Sequence, residues 1–374
     1  MSLEIREVTT KGDMRQFLRF PVKLYKNNRF YVPPLYLDDE ATLDLKRNPA
    51  GEFCESSYWI ALRDGRMVGR IAAIHNKAFV EKWGKKLCRF GWFDVADDFD
   101  AAKALVDTVE GWGRARGLEG IHGPLGFTDL DREGLLVEGF EERGTMATNY
   151  NHPYYGAFLE RLGYVKDVDW IEFLVKVPDA IPDKVLRVNE LIAKRTGVRL
   201  FQWKTPKELV RAYGDQVFKL LDEAYAELYG TTPLTERQVR SYIKQYLGFV
   251  DPRFTKVMID AEGALIGFGI AMPSLSDALI RSRGRLLPFG WFRLMRALRK
   301  PEVIDMYLVA VKPEYQSRGV IAILMTDLNR SAIQEGVRFA ESNPELETNL
   351  AVQQLWKDYD KRQHKRRRVY IKSL

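Results

Sequence analysis

Val311-Lys312-Pro313-Glu314-Tyr315-Gln316-Ser317-Arg318-Gly319-Val320-Ile321 stands between an apolar strand, Val303 to Val311, and an apolar-periodic helix, Gly319 to Glu335. A strand-to-helix turn that holds glycine and arginine leaves several backbone N–H groups free at the positive end of the helix dipole. Such a turn can cradle a pyrophosphate. Arg318 adds a charge-assisted donor, and Gly319 lets the backbone approach phosphate with no Cβ in the way. The competing reading is an ordinary strand–helix turn with a glycine at its N-cap.

The stretch resembles the Gln/Arg-x-x-Gly-x-Gly/Ala signature of the GNAT superfamily of N-acyltransferases, including the Val-x-Pro-Glu-Tyr that commonly precedes it. Gln316 takes the first position and Gly319 the second, while Ile321 departs from the small residue usual at the third. The resemblance implies acetyl-CoA or a longer acyl-CoA as cofactor, held at Gln316, Ser317, Arg318, Gly319, Val320 and Ile321. It also implies that the preceding strand parts from its neighbour and pairs, through Leu308, Val309 and Val311, with the pantetheine arm. An unpaired buried strand edge is costly, so an amide-bearing arm is a sensible partner for it. Asn349 resembles the asparagine that opens the family's next helix. Seven residues on, where the family carries a tyrosine that often serves as general acid, stands Trp356. Tyr359, one turn further, is a substitute for that role, with a packing tyrosine as the blander reading.

Amine acylation needs a base for the ammonium, donors for the developing oxyanion and an acid for the departing thiolate. Glu341 is the first candidate for the base, at the C-terminal end of the strand Val337 to Glu341, where an open α/β sheet presents its crevice. A capping or salt-bridged glutamate is the competing reading. Asp305, on the neighbouring strand, is the runner-up. By the resemblance, the N–H of Val309 serves the thioester oxygen.

Around this stretch the chain reads twice in the same order of strand, helices, hairpin, strand, helix, strand, helix, strand, which suggests a duplicated unit. The expected fold is α/β (α+β), two GNAT-like domains over 1–180 and 181–374, each a mixed twisted sheet flanked by helices. Asp64-Gly65 and Glu262-Gly263 mark the two hairpin turns. Thr348 to Asp360 reads as the last helix and Arg368 to Ile371 as the closing strand. In the first copy, Ala96-Asp97-Asp98-Phe99-Asp100 stands where a phosphate loop should be; three aspartates and no glycine would repel pyrophosphate. That copy is therefore read as having lost its cofactor loop. The polar, aromatic connection from Gly123 to Tyr155 is a candidate acceptor lining, through Asn149, Tyr150, Asn151 and His152, or else a packed and inert loop.

Residues 1–180 carry 25 Lys+Arg against 29 Asp+Glu, net −4, and residues 181–374 carry 33 against 22, net +11. The second half should therefore meet the anion. The basic residues form no single stripe and no nucleic-acid-binding signature accompanies them, so nucleic acid is read as a poor fit. Arg281 to Lys300 mixes seven cations with bulky apolar residues. It suits peripheral contact with an anionic bilayer, closure over an acyl chain, or plain packing as an amphipathic helix. Lys365-Arg366-Arg367-Arg368 reads as a solvated face, with proximity to the cofactor's 3′-phosphate as the other reading. Cys54 and Cys88 are too few for a disulfide framework, and four scattered histidines suggest no metal cluster. With no apolar run of membrane-spanning length and no secretory layout at the start, the expected place is the cytoplasm.

These readings converge on an N-acyltransferase that moves an acyl group from acyl-CoA to an amine, either a small molecule or a lipid-like one. Two alternatives stand beside it: a non-catalytic acyl-CoA- or lipid-binding protein, and an aminoacyl-tRNA-dependent peptidyl ligase of the same fold.

Overall fold

A computed structural model describes residues 2–374. The first half supplies β1 (Leu3–Glu7), β2 (Cys54–Arg63), β3 (Arg66–Asn76), β4 (Leu87–Val95), β5 (Gly120–Gly123), β6 (Leu135–Glu138) and β7 (Val165–Lys176). The second supplies β8 (Arg199–Leu200), β9 (Thr255–Ile259), β10 (Leu265–Pro273), β11 (Val303–Val311), β12 (Phe339–Ser342), β13 (Glu345–Leu346) and β14 (Lys361–Ser373). Both expected hairpins form, and the turn residues Gly65 (φ 75°) and Gly263 (φ 87°) take the left-handed conformation that glycine tolerates. In each half the antiparallel strands are followed by one parallel step, β4 beside β5 and β11 beside β12.

The two sheets join by exchanging strands. The order runs β1-β2-β3-β4-β5-β14-β7-β12-β11-β10-β9-β8. β14, from the end of the chain, lies antiparallel to β5 of the first half, and β7, from the first half, lies antiparallel to β12 of the second. Each parallel pair would otherwise present an open edge, and each half covers the edge of the other. The Lys365–Arg368 run lies inside this exchange, which corrects its reading as a solvated face. Lys365 (1% exposed) and Arg367 (0%) point one way, onto Glu172, while Arg366 and Arg368 point the other way, onto Asp169. The two-residue period of a strand explains the division. Four cations are tolerated because each face of β7 answers with a carboxylate.

The strands that build the site are packed on both faces. Helix Ile321–Glu335 turns Leu324, Leu328 and Ala332 onto Ile266 and Ile304, while on the other face helix Pro206–Tyr225 presses Leu209, Val217 and Leu221 against Phe268 and Ala310. Full burial of each such aliphatic side chain contributes about 1.5–3 kcal/mol. Gly269 permits the close approach of the first helix, since a Cβ there would stand 2.8 Å from Leu324 Cδ2. The expected helix over Thr348 to Asp360 is broken into a short turn, Leu350–Gln353, and a 3₁₀ turn, Gln354–Trp356, before β14 begins at Lys361, earlier than the sequence reading placed it. Cys54 and Cys88 are free and buried, and burial pushes both thiols up to about 12. Among the described residues no helix is long and apolar enough to cross a membrane.

Candidate active site

β11 and β12 pair in parallel from Val303↔Phe339 to Met306↔Ser342 and then part. Asn343 wedges the fork: its N–H donates to the Met306 carbonyl (3.1 Å) and its Nδ2 to the Tyr307 carbonyl (3.1 Å). On the other edge of β11, the register with β10 slips at Tyr307, which is a bulge. Beyond the bulge, the N–H of Lys312 bonds the Ile266 carbonyl (2.8 Å), so residues of that parity face β10. Alternation turns the backbone groups of Val309 and Val311 the opposite way, into the gap. Tyr225 Oη donates to the Val309 carbonyl (3.2 Å) and Gln316 Nε2 to the Val311 carbonyl (3.0 Å). The N–H groups of Val309 and Val311 are left facing the gap. Met306, Tyr307, Leu308 and Val309 are half-buried, as the wall of a groove should be.

The groove runs into the loop that opens helix Ile321–Glu335. Gly319 has φ 75°, and among the described residues the N–H groups of Gly319, Val320 and Ile321 meet no acceptor. Ile321 thus still offers its amide despite its side chain. Gln316, Ser317 and Arg318 are exposed, and the Arg318 guanidinium lies over the Tyr315 ring. These are the groups that a diphosphate requires: free amides at a helix start, one cation beside them, and a residue without Cβ at the closest point. Asn349 caps the turn Leu350–Gln353, its Oδ1 accepting from the Val352 N–H (3.4 Å).

The first half holds the same frame filled in. At the start of helix Phe99–Arg114, Asp98 accepts from the Ala101 N–H (3.0 Å) and receives Arg63 through two bonds of 2.6 and 2.7 Å. A carboxylate of the chain already occupies the place that a phosphate would take. β4 also parts from β5, after Arg89, but its end is stopped by Tyr155, whose hydroxyl accepts from the Val95 N–H (2.7 Å), and by the rings of Phe90 and Phe93.

Of the carboxylates at the fork, Glu341 is engaged. It pairs with the ammonium of Lys365 and lies 3.5 Å from His364 Nε2. Lys365 also reaches Glu172 (3.0 Å), which burial would raise but which Arg367 and Lys365 hold at about 2. Glu172, Glu341 and His364 come close enough to bind a cation, and Lys365 already supplies that positive charge. Asp305, beside Glu341 in the register, differs. It is 1% exposed, and neither of its oxygens has a hydrogen-bond partner among the described residues. Burial and then the charge of Glu341 raise its pKa to about 8; the nearby Ser274 hydroxyl, which pulls the other way, is turned to Ser276 (3.2 Å). Asp305 is therefore a buried carboxyl poised to take or give a proton near neutral pH.

On the opposite face, a cavity between helix Ile321–Glu335 and the sheet is lined by Met306, Met325, Asn329, Trp356 and Tyr359. Asn329 Nδ2 donates to Tyr359 Oη (2.6 Å), which leaves the phenolic proton free. Trp356 Nε1 donates to Glu345 (2.8 Å), a carboxylate that burial raises to about 7 and whose second oxygen has no partner among the described residues. Glu345, Tyr225 and Asn343 were not singled out from the sequence. The tryptophan in the tyrosine's place was the one signal for Glu345, because a buried indole N–H needs an acceptor.

The expected acceptor-lining residues lie within the first half, with most of their polar atoms used there. Asn151 exchanges bonds with the Leu136 backbone (2.7 and 3.0 Å), and Tyr150 Oη accepts from Asn28 and donates to Phe140. The Asn149 carbonyl receives Arg367, and His152 stacks on Tyr154. The same connection does reach the second half at its beginning, where Asp129 and Leu130 line a cavity together with Tyr225.

The profile of the "Acetyltransferase (GNAT) family" matches residues 214–359. "Protein YghO" of Escherichia coli (strain K12) is 27% identical over 99% of this chain and 95% of its own. "Bacterial ceramide synthase" of Caulobacter vibrioides (strain NA1000 / CB15N) is 28% identical over 100% of this chain and 98% of its own. Among solved structures, a tandem GNAT protein from the clavulanic acid biosynthesis pathway superposes with a TM-score of 0.57 at 16% identity, covering 100% of this chain and 98% of that one.

Proposed function

We propose that this chain is a GNAT acyltransferase with two such units in tandem, and that it transfers an acyl group from acyl-CoA to the amine of a long-chain, lipid-like acceptor. The observation that carries the reading is Asp305, a buried carboxyl with no hydrogen-bond partner among the described residues, at the fork of the two strands. Bound acyl-CoA would supply the activated acyl carbon as a thioester. The amides of Gly319, Val320 and Ile321 hold the diphosphate end, and those of Val309 and Val311 pair with the pantetheine arm. Asp305 takes the proton of the incoming ammonium, with Glu341 and Lys365 setting its charge environment. The Val309 N–H donates to the oxygen on which negative charge develops, and as the C–S bond breaks the second proton of the attacking nitrogen passes to the departing sulfur. Tyr225 fixes the Val309 peptide by holding its carbonyl.

The lipid-like acceptor draws support from the relative named as a ceramide synthase, since a ceramide is the fatty amide of a long-chain amino alcohol. Incubation with palmitoyl-CoA and a long-chain 2-amino alcohol should yield the amide and one free CoA thiol per amide, both read by mass spectrometry. Spermidine or lysine in the same assay should yield none. Amide formed on the small polar amines alone would overturn the choice of acceptor, and thiol release with no amide on any amine would overturn the reading as an N-acyltransferase.

A further inference from the structure

Between β10 and β11, the two strands that frame the groove, the chain inserts helices Ser276–Ser282 and Gly290–Arg299. Their joining segment and the outer side of the second helix expose Leu286, Leu287 (77%), Phe289 (69%), Trp291, Phe292 (59%) and Met295. Single exposed apolar residues are ordinary, but six within ten positions are not. The insertion is also built rather than loose. Leu279 and Leu294 are buried against Val32 and Leu275, and the Gly284 carbonyl accepts from the Tyr36 N–H (3.2 Å). Arg253 Nη2 holds the Leu298 carbonyl (2.8 Å), and Arg293 Nη1 the Arg281 carbonyl (2.7 Å). The structure thus spends its hydrogen bonds to hold an apolar tip outward.

The charge around that tip has one sign. Seven cations lie between Arg281 and Lys300, with no acidic residue from Ala278 to Pro301. Among the described residues none of the seven forms an ion pair, although the chain pairs most of its arginines elsewhere, including Arg143 with Asp277 next to this segment. A short amphipathic helix with bulky apolar residues on one side and unpaired arginines beside them has the composition that rests in the headgroup region of a bilayer. It is too short to span one.

We propose that this insertion docks the protein on anionic phospholipid bilayers. The six apolar side chains enter the boundary between headgroups and acyl chains, and the ring of cations lies on the phosphates. Ser274 and Val303, at the two roots of the insertion, are joined by a backbone bond (2.9 Å) beside Asp305. The docked insertion is thus rooted beside Asp305, so that an amine drawn from the bilayer would approach the groove from the side of that carboxyl. This last point rests on the acceptor reading above; the docking itself does not.

Sedimentation of the full chain with large unilamellar vesicles tests the docking with no substrate present. With phosphatidylglycerol–phosphatidylcholine vesicles the protein should pellet, with at least tenfold weaker binding to pure phosphatidylcholine and a steep loss with added salt. Leu287→Glu combined with Phe292→Glu should weaken binding to the anionic vesicles at least tenfold, and Arg293→Gln with Arg296→Gln should weaken it and flatten its salt dependence. CoA affinity should be unchanged in both variants, which shows that they are folded. No pelleting of the wild type, pelleting of the Glu variants equal to wild type, or a wild-type dimer dispersed by those substitutions without any vesicle binding would each overturn the proposal. So would retention on duplex DNA with no affinity for vesicles. If docking holds while no long-chain amine is acylated, the acceptor reading fails and the docking stands.

Discussion

Replacing Asp305 with Asn is expected to lower kcat/KM for acyl transfer by about 10²–10⁴-fold, the usual contribution of a positioned base, while CoA affinity stays within about twofold of wild type. The variant keeps the shape of the side chain and removes only its capacity to take a proton. In the wild type, a base with its pKa raised to about 8 is active when deprotonated, so kcat/KM should rise with pH and level off above that value. Stability should run in the opposite direction. An Asp whose folded pKa lies above its unfolded value of 3.8 favours the folded state fully below that value and loses this contribution as pH rises through about 8. Asn has no charge to bury, so at pH 9 the variant should resist urea better than the wild type, by a few kcal/mol at the ~1.4 kcal/mol per pKa unit that links the two. Activity and alkaline stability thus move apart. A variant that lost both, or kept its activity, would show Asp305 to be a structural residue.

Removing β14 by ending the chain at Asp360 should abolish cooperative unfolding of both halves, followed by near-ultraviolet circular dichroism on heating. β14 is held between β5 of the first half and β7, and it carries Val369 (0% exposed), Tyr370 (1%) and the buried cations Lys365 and Arg367, each ion-paired with a buried glutamate. Its loss would strand Glu172 and Glu341 as buried carboxylates without cations and open two sheet edges at once. Breaking one such buried pair costs about 3–5 kcal/mol, and the stability of an ordinary domain is about 5–15 kcal/mol. A truncated chain whose first half still melted cooperatively within a few degrees of the intact protein would show that the exchange is ornamental.

What the sequence disclosed follows from how local each feature is. The loop from Val311 to Ile321 was legible because glycine, arginine and the flanking periodicities act within eleven residues. The acidic loop of the first copy, with three aspartates and no glycine, was legible for the same reason, though not that Asp98 would itself sit at the helix start with Arg63 as its partner. The strand exchange was not legible. β7 and β14 satisfy the same alternation whichever sheet they join, and nothing within either strand names its neighbour. Because the exchange was hidden, Lys365 was assigned to a solvated face, and Glu341, with its cation out of sight, ranked ahead of Asp305 as the base. Across β7 and β14, Lys365 reaches Glu341 from twenty-four residues away and Glu172 from nearly two hundred. Such long-range pairing decides which of two adjacent carboxylates is left without a partner.

Titration calorimetry with CoA, on the wild type and on Gly319→Glu, tests whether the loop at Gly319 holds the diphosphate. One CoA is expected per chain, because Asp98 and Tyr155 fill the corresponding place in the first copy, with a loss of affinity of at least 100-fold in the variant. There a carboxylate would face the diphosphate from a residue held at φ 75°, whose Cβ would stand 3.3 Å from Ile192 Cδ1. Binding of two CoA per chain, or one bound as tightly by the folded variant as by the wild type, would contradict it.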